Sequence, residues 1–69
     1  MRITKQTPLD EAWRIAMQRE KTAYEFYRQA ASVVTDESLK KLFEFLMNEE
    51  KKHFQLLEED FSRAFVKEM

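Results

Sequence analysis

At 69 residues, with no cysteine, no glycine and a single proline, the chain supports one small domain over 1–69, and neither a disulfide nor a cysteine-bound metal can staple it. Its 12 basic and 13 acidic residues leave a net charge of -1, which gives no electrostatic footprint for nucleic acid or for an anionic membrane. No apolar run reaches membrane-spanning length and the start, MRITKQT, lacks the apolar stretch of a secretory signal, so a cytoplasmic protein is expected.

The first helix is announced by Thr7-Pro8-Leu9-Asp10. Thr7 suits the cap, Pro8 the first helical position, where a missing N–H costs nothing, and Asp10 the positive end of the helix dipole. Nothing interrupts the run until Ser32-Val33-Val34-Thr35-Asp36-Glu37, where β-branched and capping residues cluster. The spacing therefore predicts a helix over about 8–33, a turn at about 33–36 with Thr35 or Asp36 as the next cap, and a second helix over about 36–66. So short a connection makes the two helices antiparallel neighbours, an all-α hairpin.

Each helix carries one seam at alternating spacings of three and four residues. On the first it runs Leu9, Trp13, Ala16, Glu20, Ala23, Tyr27, Ala30 and Val34; on the second Leu39, Phe43, Leu46, Glu50, His53, Leu57, Phe61 and Ala64. Glu20, Glu50 and His53, the only histidine, thus fall on apolar stripes. A carboxylate taken out of water without a partner costs several kcal/mol or is forced neutral, so these positions call for an explanation.

Position along the hairpin supplies one. Glu20 precedes Val34 by fourteen residues and Glu50 follows Asp36 by fourteen. At about 1.5 Å of rise per residue, both lie roughly 21 Å from the turn and should face each other. With no lysine or arginine on either seam, two carboxylates and an imidazole ask for a cation. Three ligands are few for a buried metal. Two hairpins related by a twofold axis supply four glutamates and two histidines, enough to balance two divalent cations, which is the ligand set of di-iron carboxylate bundles.

The runs Ala16-x-x-x-Glu20-x-x-Ala23-x-x-Phe26-Tyr27-x-x-Ala30-Ala31, Leu39-x-x-Leu42-Phe43-x-x-Leu46 and Glu49-Glu50-x-x-His53-x-x-Leu56-Leu57-Glu58 resemble one half of a rubrerythrin bundle, within the ferritin-like superfamily. They are also similar to the encapsulated ferritins, in which short hairpins pair to build a ferroxidase site between subunits. The resemblance implies a homodimer, or a ring of dimers, forming a ferritin-like four-helix bundle with two irons per dimer. Manganese or zinc are the competing metals. It further implies Glu20 and His53 as terminal ligands, Glu50 as the bridge between metals, and Tyr27 just outside the ligand set, hydrogen-bonding to it. The activity implied is ferroxidase or peroxide-reducing di-iron oxidoreductase chemistry with these three residues at its centre. An encapsulating shell and an external redox partner are the further partners implied.

Plainer readings stand beside these. Glu-x-x-His is weak by itself in so acidic a chain; the matched heights are what strengthen it. Glu25 and Glu49 fall off the seams, with Lys21 and Lys52 as expected ion-pair partners. Phe43, Met47, Phe54, Phe61 and Phe65 form a flanking row that widens the apolar face and points to contacts beyond one dimer. The alternative function is a non-enzymatic helical oligomerisation module whose buried Glu20, Glu50 and His53 set the pairing register.

Overall fold

The computed structural model describes residues 2–65. Two helices make up most of it: α1, Leu9–Val33, and α2, Glu37–Phe65, joined by Val34, Thr35 and Asp36. The expected extension of the second helix to residue 66 lies outside the described residues.

Both ends of α1 differ in detail from a simple cap. Pro8, expected inside the helix, is instead the capping residue (φ -57°, ψ 147°), and no side chain caps the helix. Its carbonyl accepts the first helical hydrogen bond, from the Ala12 N–H at 2.9 Å. Thr7, the expected cap, sits one residue too early to reach those N–H groups. It turns back, its Oγ1 accepting the Thr4 N–H at 2.9 Å while its own N–H donates to the Thr4 carbonyl at 3.1 Å. Asp10 bonds Arg14 one turn on, at 2.9 Å.

The turn needs no glycine. Val34 leaves the helix extended (φ -76°, ψ 145°), yet its N–H still donates to the Ala30 carbonyl at 3.1 Å. Of the two cap candidates, Asp36 does the work. Its Oδ1 accepts the Leu39 N–H at 2.8 Å and its carbonyl accepts the Lys40 N–H at 2.9 Å. Such a cap is worth about 1 kcal/mol and sets where α2 begins.

Cross-helix contacts follow an antiparallel ladder. Trp13 meets Phe61 and Phe65 edge-on, with ring centroids 6.5 and 6.3 Å apart, and Tyr27 meets Phe43 at 6.0 Å. Yet Ala31 is the only buried hydrophobic residue among those described, and none is fully buried. The radius of gyration is 15.1 Å, where a compact chain of this length would have about 11 Å. The shortest extent, 13 Å, is little more than one helix diameter. The hairpin is a single layer. No helix among the described residues is long and apolar enough to cross a membrane.

Much of the exposed apolar surface lies on one side. On α2, Leu42, Phe45 and Leu56 share with Glu49 and His53 a stripe at spacings of three and four, and the three hydrophobic residues are 50%, 58% and 57% exposed. On α1 the matching stripe is Arg19, Ala23, Phe26, Ala30 and Val33, with Phe26 and Val33 both largely exposed. Right-handed winding of two antiparallel helices puts these stripes on the same side of the hairpin. The other flank, where the sequence led us to expect surplus apolar surface, is better covered: Met47, Phe54 and Phe61 are half-buried, while Phe65 at its end is 37% exposed.

Candidate metal centre

Glu20 lies midway along α1, and Glu50 and His53 lie one turn apart on α2. The hairpin brings them together, with one donor atom from each lying within 4.8 Å of the others. His53 Nδ1 is 3.5 Å from Glu20 Oε1 and 3.5 Å from Glu50 Oε1. Donors around one small cation, each at about 2.1 Å, lie at most about 4.2 Å apart, so a side-chain adjustment of under an ångström would close the set.

Electrostatically the cluster is unfinished. Glu20 Oε1 is buried and has no hydrogen-bond partner. Among the described residues neither Glu20 nor Glu50 has a lysine or arginine partner; His53 is the sole ion-pair partner of both. The Glu20 pKa is raised above the ordinary carboxylate value. Hydrogen bonding of its protonated form to Glu50 is the chief cause, burial and repulsion from Glu50 add to it, and His53 pulls the other way. A cation among these three groups would supply the missing partner.

The cluster also has a direction. The Glu20 and Glu50 side chains are 29% and 20% exposed, but that of His53 is 53% exposed. It opens on the side that carries Leu42, Phe45, Leu56 and Phe26. The carboxylates form the floor of the cluster and the imidazole its rim, on the same side as the exposed apolar stripe.

Neighbouring residues divide between expectation and correction. Glu49 pairs with Lys52 at 3.5 Å, as its spacing indicated. Glu25 does not pair with Lys21; the Arg28 guanidinium takes it instead, through two hydrogen bonds of 3.0 and 2.8 Å. Two guanidinium N–H groups converge on one carboxylate oxygen of Glu25, Oε1. Tyr27 packs its ring against Phe26 and Phe43, and its hydroxyl makes no hydrogen bond among the described residues. Seven residues of helix, two turns, separate it from Glu20, a rise of roughly 10 Å. On the open side, Phe26, Leu42 and Leu56 fall within the family-like runs but were assigned no side by sequence reasoning, which passed over Phe45. Their own spacing was the available signal, but it competes with the seam one position away.

Compared with known proteins, the chain matches the family model of rubrerythrin over residues 2–60. Searches of curated proteins and of solved structures gave no significant match.

Proposed function

The chain belongs to the rubrerythrin family, and from that premise we propose that two copies pair through the side bearing His53 to form a four-helix bundle. This would hold a dinuclear iron centre at which Fe(II) is oxidised by oxygen or peroxide. The observation that carries the reading is the convergence of two carboxylates and an imidazole, with one buried carboxylate oxygen lacking a hydrogen-bond partner and the imidazole exposed. Glu20, Glu50 and His53 from each chain make up four carboxylates and two imidazoles, and the four negative charges balance two divalent cations. Iron bound there would supply the one-electron chemistry; manganese and zinc suit the same donors.

Surface area supports the pairing. A compact monomer of 8.4 kDa exposes about 4,600 Å². This hairpin exposes 5728 Å². The excess, roughly 1,100 Å², is more than the ~800 Å² that each partner buries in a standard interface.

Within the centre the protein's tasks are distinct. Apolar residues on the inner faces exclude water and strengthen every charge interaction there. Glu20 and Glu50 come from different helices, so their spacing can follow changes in charge without unfolding either helix. His53, at the rim, is the ligand that a second chain would cover.

Each chain supplies half of the donors, so metal should bind the paired state best and pull assembly with it by mass action. Sedimentation at low micromolar concentration under anaerobic conditions, with Fe(II) and then with chelator, should show dimers forming and dispersing, with about two metals per two chains in the loaded form. A monomer–dimer distribution indifferent to metal, together with an unchanged melting temperature, would leave Glu20, Glu50 and His53 as register-setting residues of an oligomerisation module.

A further inference from the structure

The flank away from His53 holds a second feature that is complete within one hairpin. Lys21 and Lys51 each follow a cluster carboxylate directly in sequence, and the helical turn of about 100° per residue carries them to the other side. There they line, with Tyr24, Glu25 and Phe54, an open groove of about 370 Å³. That volume falls at the small end of ordinary ligand sites. The aromatic side chains of Tyr24 and Phe54 are half-buried and supply apolar wall beside two lysines.

The charges on the rim are unequal in availability. Glu25, the one acidic residue lining the groove, is held by Arg28 through two hydrogen bonds. Neither Lys21 nor Lys51 has an ion-pair partner among the described residues, although Glu58 lines the adjoining hollow that shares Lys21 and Phe54. The groove thus offers two ammonium groups with no ion-pair partner among the described residues beside two aromatic rings, and its one lining acid is already bonded to Arg28.

We propose that this groove binds a small planar aromatic anion, a ring system bearing a carboxylate, sulfonate or phosphate. Aromatic side chains favour offset or edge-on contact with the ring, and the two ammonium groups pair with the anionic group. Pairing through the His53 side leaves the groove on the outside of the bundle, so the proposal holds whether or not the metal centre is filled.

Calorimetric titration of the full chain with 2-naphthoate tests it, against neutral 2-naphthylmethanol and inorganic phosphate as comparison probes. Saturable naphthoate binding is expected. The neutral alcohol should bind weaker by roughly tenfold or more, as should naphthoate to the Lys21→Met/Lys51→Met double variant, which keeps the apolar stems and loses both charges. Phosphate should not displace naphthoate, and Lys41→Met, remote from the groove, should bind like the parent. Helix content by circular dichroism confirms that each variant is folded. Absence of saturable binding in the millimolar range, equal binding of acid and alcohol, or an equal loss in Lys41→Met would each overturn the assignment.

Discussion

Replacing Leu42 and Phe45 by serine tests which side of the hairpin meets a second copy. These side chains are 50% and 58% exposed on the side that carries His53, and neither belongs to the metal cluster. Full burial of such a side chain stabilises by about 2.5 kcal/mol, so the exposed half of each is worth about 1.2 kcal/mol when a partner covers it. Two such residues in each of two copies amount to about 5 kcal/mol of association free energy. At 1.4 kcal/mol per factor of ten, the dimer should dissociate at a concentration roughly three thousand times higher. Sedimentation velocity across a concentration series, with circular dichroism at each point, measures the shift and separates dissociation from loss of helix. If the monomer–dimer midpoint moves less than about threefold, these residues do not lie in the interface and the one-sided pairing is wrong.

His53→Ala should weaken Fe(II) binding by roughly tenfold to a hundredfold, since it removes a ligand at the rim while leaving both carboxylates in place; anaerobic titration calorimetry reads this directly, and an unchanged affinity would make the histidine a packing residue. Glu20 gives a pH signature: with its pKa raised in the folded chain above the ordinary 4.5, the metal-free fold retains a proton that the unfolded chain releases. That contribution to stability is complete below the unfolded value and is lost as pH rises through the raised folded value. The melting temperature of metal-free protein should therefore decline as pH climbs out of the carboxylate range. Glu20→Gln, which cannot ionise, should melt with a flatter pH slope, and parallel slopes for the two proteins would remove Glu20 from the cluster's electrostatics.

The sequence by itself determined the two helices, the turn and the meeting of Glu20 with Glu50 and His53, because all of these are consequences of local repetition. Rise per residue and a three-four spacing are properties of any helix, and a short turn between two helices makes heights comparable by counting. The tertiary structure decided what counting leaves degenerate. Thr7 was the expected cap and Pro8 the first helical residue, but Thr7 turns back to Thr4 and Pro8 takes the cap position. Glu25 had a basic residue four positions before it and another three after, and the direction of the side chains gave it to Arg28. Above all, a helix seam has two flanks, and periodicity alone does not say which is covered. Packing of the two helices half-buries Met47, Phe54 and Phe61 on one flank while leaving Leu42, Phe45 and Leu56 in solvent beside His53 on the other. That asymmetry comes from how two right-handed surfaces interlock, so it exists only once both helices are in place.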